Sequence, residues 1–278
     1  MMTKSKKWRK IIVAILLLMI WLMIQGFLIE PHWIVIKEMK IGEGEHKFRA
    51  VHIADLHFTV SESNKKYMKE VFKKIEELKP DYIFITGDWF ESMKYKDNAA
   101  QVFAEIIESC RIPIYGIPGN HDIWCDLDGD YWDEVLRKTG GRYLRDEVVK
   151  LKEGVLLFGA EDQKWNLPKE APDDIPRVLL VHYPRTPFRH ANRLSYDLIL
   201  AGHTHGGQIR IPLYGAITLP NNTWSYQKGF YQTQIGPLYV NPGIGTFKYP
   251  IRLFNRPEIT VIDFSPNKER PPFWEKDY

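Results

Sequence analysis

The chain has 278 residues, 44% hydrophobic and 26% charged, enough apolar content for one large domain or two small ones. Its net charge of +3 includes Lys4, Lys6, Lys7, Arg9 and Lys10, so the rest is slightly acidic (+3 less 5, or −2) and lacks a nucleic-acid binder's basic footprint. Two cysteines, Cys110 and Cys125, exclude a disulfide framework and a cysteine zinc site, and no bond is expected between them.

From Ile11 to Ile29 the chain is apolar except for Gln25 and Gly26. At ~1.5 Å per residue the stretch spans roughly 28 Å as a helix, close to a bilayer core. A cleaved signal peptide has a shorter apolar region and a small-residue exit, which Gln25-Gly26-Phe27-Leu28-Ile29-Glu30-Pro31 does not provide. An uncleaved transmembrane anchor over 11–29 is therefore expected, making the chain a single-pass cell-membrane protein. The basic segment 1–10 would stay cytoplasmic and put the catalytic domain, 30–265, on the extracytoplasmic side. Residues 266–278 read as a loosely held tail.

After Pro31, Trp33 to Ile36 reads as a strand and Gly42-Glu43-Gly44 as a turn. Phe48 to Ala54 is a second strand, ending on Asp55-Leu56-His57. Met68, Val71, Phe72, Ile75 and Leu78 recur at helical spacing before Pro80, with lysines and glutamates between them. Tyr82 to Thr86 is a buried strand ending on Gly87-Asp88. Val102, Phe103, Ile106 and Ile107 mark a second helix, and Ile112 to Ile117 a third strand ending on Gly119-Asn120-His121-Asp122. The repeated unit of strand, polar cluster and helix argues for an α/β sheet with right-handed crossovers. Further strands at Val155–Phe158, Val178–Val181, Leu198–Leu200, Leu238–Val240 and Ile259–Ile262 have shorter connections. Two mixed sheets stacked face to face, with helices outside, accommodate them all.

The polar residues at strand ends are Asp55, His57, Asp88, Asn120, His121, Asp122, His182, His203 and His205. Each alone has an ordinary explanation: a helix-capping aspartate, a turn asparagine, a hydrogen-bonded core histidine. Their joint placement at strand ends, where open α/β sheets carry their chemistry, does not. His203 and His205, between Gly202 and Gly206-Gly207, would share a side if the backbone between them is extended.

Asp55-x-His57, Gly87-Asp88, Gly119-Asn120-His121-Asp122, His182 and Gly202-His203-Thr204-His205 occur in the order and with gaps similar to those of the calcineurin-like metallophosphoesterase superfamily, which residues 55–207 resemble. The fuller Gly202–Gln208 segment, Tyr239–Gly245 and Arg256-Pro257-Glu258-Ile259 resemble a membrane-anchored bacterial branch that includes a UDP-2,3-diacylglucosamine pyrophosphatase. Ala54, where the family more often has serine, and the bulky Trp89-Phe90 are departures that remove no ligand.

The resemblance implies a four-layer α/β fold and a site for two divalent ions, manganese first, with iron or zinc as alternatives. Carried over by position, Asp55, His57 and His205 would hold one ion, Asn120, His182 and His203 the other, with Asp88 bridging. A shared carboxylate offsets the repulsion of two ions about 3.5–4 Å apart. A metal-bridging hydroxide would attack a phosphodiester or pyrophosphate bond, on an amphipathic or lipid-linked substrate such as UDP-2,3-diacylglucosamine. His121 would donate the leaving group's proton or stabilise the transition state, with Asp122 orienting it. A phosphomonoesterase or protein phosphatase, and a catalytically silent scaffold, are the rival readings. UDP-diacylglucosamine arises on the cytoplasmic side, in tension with the orientation above. His32, His46, His52 and His190 read as structural or surface residues, and Lys65-Lys66 and Lys73-Lys74 as a solvated helix face. The aromatics Tyr214, Trp224, Tyr226, Phe230 and Tyr231 either wall a substrate groove or pack the second sheet, with Trp124, Tyr131 and Trp132 as the opposite wall.

Overall fold

A computed structural model describes residues 4–91, 96–161, 165–189, 194–220 and 223–267; His190 and most of the tail lie outside them. A long helix α1 (Lys4–Ile24) continues through a π-helical turn (Gln25–Ile29) and a 3-10 turn (Glu30–His32). Then follow β1 (Val35–Ile41), β2 (Phe48–Ile53), α2 (Glu62–Glu77), β3 (Tyr82–Thr86), α3 (Lys96–Ile107), β4 (Ile114–Ile117), α4 (Asn120–Trp124) and α5 (Gly129–Arg137). The second half holds β5 (Arg142–Tyr143), β6 (Glu147–Lys150), β7 (Leu156–Gly159), β8 (Arg177–Leu180), α6 (Thr186–Arg189), β9 (Leu198–Ala201) and the small hairpin β10 (Arg210–Ile211) and β11 (Gly215–Ala216). It closes with β12 (Gly229–Thr233), β13 (Gly236–Val240) and β14 (Glu258–Phe264).

These strands form two mixed six-stranded sheets, β1-β14-β2-β3-β4-β5 and β12-β13-β9-β8-β7-β6. In the first, β2, β3 and β4 run parallel while β14 pairs antiparallel with β2. In the second, β7, β8, β9 and β13 run parallel, with β6 and β12 antiparallel at the edges. The two-residue period of a strand sorts the core into three layers. Val51, Ile53, Ile83 and Ile85 face α2, α3 and α5. Phe48, Ala50, Tyr82 and Phe84 face Val178, Leu180, Leu198 and Leu200 between the sheets. Leu179, Val181, Ile199 and Ala201 face outward, where Leu167, Leu194, Tyr196 and Ile235 cover them. The architecture is thus α/β, two mixed sheets flanked by helices, with an outer layer on the second sheet built mostly from connecting chain.

Several boundaries moved. The first strand begins at Val35 and runs to Ile41, because its partner is β14, seven residues long in register with it. The helix of Met68 and Phe72 starts at an N-cap, Ser61, whose hydroxyl accepts from the Asn64 N–H. His52 faces away from Val51 and Ile53 and is buried between the sheets, where its Nε2 meets the Thr86 hydroxyl at 2.9 Å. Cys110 and Cys125 form no disulfide and are buried.

The apolar N-terminal helix, long enough over Lys6–His32 to cross a membrane, suggests a membrane anchor. Its last turns are fastened to the domain. Gly26 is buried and its carbonyl accepts the Arg252 N–H at 2.9 Å. Glu30 is buried and its carboxylate accepts the Asn255 N–H at 3.2 Å.

Candidate metal centre

The C-terminal ends of β2, β3, β8 and β9, with the turn after β4, meet at one point, and their backbone there is unusual. Asp55, His57, Asp88, His203 and His205 all have left-handed φ, between 44° and 68°. Each such non-glycine residue costs on the order of 1–3 kcal/mol, and persists only where its surroundings over-determine it. They do so here. The Asp55 N–H donates to Gly87, the His57 N–H to Asp88, and the Gly245 N–H to the Asp55 carbonyl, at 2.8–3.1 Å. The expected extended backbone between His203 and His205 is not what forms: left-handed residues flank Thr204, and a 3-10 turn (His205–Gly207) follows.

The side chains collect into three overlapping groups, two of which share one carboxylate, while the third joins His57 to Glu91 and His121. Ligand atoms of Asp55, His57, Asp88 and His205 lie within 4.8 Å of one another, as do those of Asp88, His182 and His203. His57 Nε2 and His182 Nε2 approach the same oxygen, Asp88 Oδ2, at 3.5 and 3.4 Å. Asn120 Oδ1 joins the second group, 3.1 Å from His182 Nε2. His57 Nε2 faces His205 Nε2 at 3.0 Å, and His203 Nδ1 faces His182 Nε2 at 3.2 Å. Imidazole nitrogens aimed at each other this closely either share a proton or direct lone pairs at a common cation. Buried Asp55 Oδ2, without a hydrogen-bond partner among the described residues, fits the second option. So do the backs of the ligands. His182 Nδ1 donates to the Thr86 carbonyl at 2.8 Å, turning Nε2 inward. The Asp55 and Asp88 Oδ1 atoms accept the His203 and His121 N–H groups at 2.9 Å. Seven oxygen and nitrogen donors, two of them carboxylates, are a donor set for two divalent ions.

Electrostatics without the ions agree. Burial pushes the Asp55 carboxyl up to about 6 and the His203 imidazole down to about 3. Burial also opposes ionisation of Asp88 and His182, yet each outweighs it in the other. Asp88 is held far below the carboxylate range and His182 is raised to about 10. Burial and the neighbouring His57 charge keep His205 well below the histidine range. A protonated His182 beside Asp88 does the charge neutralisation that cations would do.

All nine residues singled out from the sequence lie here, but Asp122 is turned differently from expectation. Its carboxylate accepts the N–H groups of Gly119 at 2.8 Å and of Trp89 and Phe90 at 3.0 and 3.3 Å, clamping two loops. It does not orient His121, whose Nδ1 lies 3.0 Å from the Glu91 carbonyl oxygen. An aspartate three residues after an N-cap folds back onto it, and that capping-box spacing was in the sequence. Burial and the Asp88 charge raise the Asp122 carboxyl to about 7.

Glu91 and Phe247 were missed. Glu91 Oε2 lies 2.5 Å from His57 Nδ1, an ion-pair contact behind a candidate ligand. The Phe247 ring lies over His57, His121 and His205 at centroid distances of 5.9, 5.1 and 6.3 Å. Beside them a cleft of about 280 Å³ runs from His57 and Glu91 past Tyr67 and Tyr249 to Pro31 and His32, where the apolar helix ends. The five aromatics of 212–234 do not line this cleft; Tyr226 and Tyr231 pack the outer face of the second sheet. Trp132 is wholly buried in the helix-side core, and only Trp124 of the expected opposite wall borders the site, 5.2 Å from the His121 ring.

Residues 48–207 match the calcineurin-like phosphoesterase family. The chain is 32% identical over 264 residues to YkuE of Bacillus subtilis (strain 168), a metallophosphoesterase described as uncharacterized, covering 84% of this chain and 86% of the relative. It is 26% identical to the phosphodiesterase YaeI of Escherichia coli (strain K12), covering 84% and 89%. It is 25% identical to LpxG of Chlamydia trachomatis serovar D, a UDP-2,3-diacylglucosamine pyrophosphatase, covering 78% and 83%. The converging donors and this similarity carry one conclusion: the chain belongs to the calcineurin-like phosphoesterase family and is a metal-dependent hydrolase.

Proposed function

We propose that this chain hydrolyses a phosphodiester or pyrophosphate bond in an amphipathic substrate presented at a membrane, using two ions held by its seven converging donors. Asp55, His57 and His205 would hold one ion and Asn120, His182 and His203 the other, with the Asp88 carboxylate placed to serve both. The single observation behind this reading is the approach of His57 and His182 to the same Asp88 oxygen, within two otherwise separate ligand groups. Two such ions, manganese first and iron or zinc alternatively, would supply activation of a water and offset phosphate charge.

The chain's own residues supply the rest. A carbonyl only accepts, so His121 Nδ1 carries a proton toward Glu91, and Nε2 is the atom that exchanges one with a leaving group. Asp122 holds the Asp88 and Asn120 loops in register rather than acting on substrate. Glu91 positions His57. The cleft between this centre and the end of the apolar helix would take the substrate's non-reacting part, and its tyrosines and His32 suit a polar head carried on an apolar body. The relatives named phosphodiesterase and UDP-2,3-diacylglucosamine pyrophosphatase support bond class more than substrate identity.

The test compares bis(p-nitrophenyl) phosphate with p-nitrophenyl phosphate on manganese-loaded protein. The diester is the faster substrate, and His121→Ala lowers its kcat by about 10²–10⁴ with both ions retained. A monoester preference would move the reading to a phosphomonoesterase. A loss below about tenfold would remove His121 from proton transfer.

A further inference from the structure

We infer that the β10–β11 hairpin is a second membrane contact, a foot that rests its apolar tip in the surface of the bilayer crossed by α1. The inference rests on the anchor reading and goes beyond it, because it assigns a lipid-facing surface to the folded domain itself.

The hairpin has no packing reason to be apolar. Ile211, Leu213 and Tyr214 at its tip are exposed, Leu213 completely, and Phe254 beside them is exposed too. Leu213 takes a left-handed φ of 68° in the three-residue turn. A strained, fully exposed leucine gains nothing from water, whereas an apolar cluster of this kind marks a surface that meets another phase.

The hairpin's place in the fold says which phase. The Arg210 N–H donates to the Leu253 carbonyl at 2.9 Å and the Leu253 N–H to Gln208 at 3.0 Å, splicing the hairpin to segment 252–254. The next residue back, Arg252, donates its N–H to the carbonyl of Gly26. Gly26 lies inside the apolar span Lys6–His32, about 9 Å before its end at the helical rise. The chain that carries the hairpin is therefore level with the last turns of the membrane helix. Trp33, just beyond the span, is exposed with the Arg256 guanidinium 3.5 Å over its ring, the aromatic and basic pairing found at bilayer interfaces.

Charge points the same way. Residues 198–257 contain no aspartate or glutamate and five basic residues, Arg210, Lys228, Lys248, Arg252 and Arg256, although the domain as a whole is slightly acidic. Lys248 and the exposed Tyr249 lie on the loop between the cleft and Ile251, which packs against Gly26. Of the five basic residues, Lys248 is exposed and Arg210, Lys228 and Arg256 are half-buried, while Arg252 is buried on backbone carbonyls. A surface that pairs apolar tips with basic side chains and no acid in this segment fits anionic lipid headgroups. The hairpin also holds the metal-binding loop, since Arg210 Nη1 donates to the Gly206 carbonyl at 2.9 Å. Resting on the bilayer, it would set the height of the centre above the lipid.

The test places an environment-sensitive fluorophore on single introduced cysteines of the full chain, in vesicles of phosphatidylcholine and phosphatidylglycerol with spin-labelled lipid as quencher. Cys110 and Cys125 are buried and leave the introduced thiol as the reactive one. Leu213→Cys is expected to be quenched at least threefold more than Lys152→Cys, which sits against Tyr82 at the opposite end of the sheets. Leu17→Cys in α1 reports the anchor. Quenching at Leu17 with none at Leu213 beyond the Lys152 level would overturn the hairpin contact and leave the anchor standing. No quenching at Leu17 would overturn the anchor reading and the foot with it.

Discussion

His182 carries the clearest acid–base consequence of the site. Its Nδ1 is committed to the Thr86 carbonyl, so any proton beyond the neutral ring sits on Nε2, the atom that faces Asp88 and Asn120. Burial alone would lower its pKa, but the Asp88 carboxylate raises it to about 10. The sign follows directly. A histidine with a raised folded pKa stabilises the metal-free protein fully below its unfolded value near 6.5, and that contribution is lost as pH rises through about 10. An ion taking Nε2 must displace this proton at any pH below 10. Metal binding at pH 7 should therefore release at least one proton, and affinity should rise up to tenfold per pH unit for each proton released. Titration calorimetry in buffers of different ionisation enthalpy counts the protons, and a count of zero would contradict the assignment of His182. The nine strand-end residues were legible because they recur in a known order. Glu91 was not, because an acid in a loop has no signal of its own and its partner His57 is far away in the chain. Asp122 was misread because a neighbour in sequence is not a neighbour in space at the first turn of a helix.

At the scale of elements, the site depends on loops passing closer than side chains allow. A Cβ on Gly119 would lie 2.2 Å from Asp88 Oδ1 and 2.3 Å from the Asp88 amide nitrogen. Gly119 has an ordinary extended φ of −104°, so the constraint is space and not backbone conformation. Gly119→Ala should push the shared carboxylate out of place while the core layers stay packed. The expected result is at least a tenfold loss in affinity for both ions together, with near-native far-ultraviolet circular dichroism, since one carboxylate serves both groups. Loss of one ion with the other bound as before would argue against a shared Asp88. The main strands and the first two domain helices were readable from periodicity, because each buries one or two faces against a large core. The short β5, β6, β10 and β11 were not. Two to four residues hold no period, and their pairing is decided by where the longer strands bring the chain.

For the molecule as a whole, the metal centre is the seam that ties the two sheets and the apolar helix together. Asp55 and Asp88 come from the first sheet, His182 and His203 from the second. The carbonyl of His205 accepts the Asn255 side-chain amide at 2.6 Å, and the Asn255 N–H reaches Glu30 at the end of the helix. None of these links between distant segments could be read from spacing, because they join residues up to 225 positions apart. Five strained backbones and several buried, partly compensated charges converge at this seam, so the metal-free state stores unfavourable terms that bound ions would offset. An ion that binds only the folded chain adds about 2.7 kcal/mol at a hundred times its Kd. For a domain near this size each kcal/mol moves Tm by roughly 2–4 °C. Stripping both ions with a chelator should then lower Tm by about 10–20 °C, and restoring manganese should recover it. Differential scanning calorimetry of the full chain in detergent measures the shift. The loss should grow on raising the pH from 6.5 toward 10, as the metal-free state gives up the His182–Asp88 pair that stands in for the cations. A Tm indifferent to both chelator and metal would mean that the seven donors hold no ion in the folded chain.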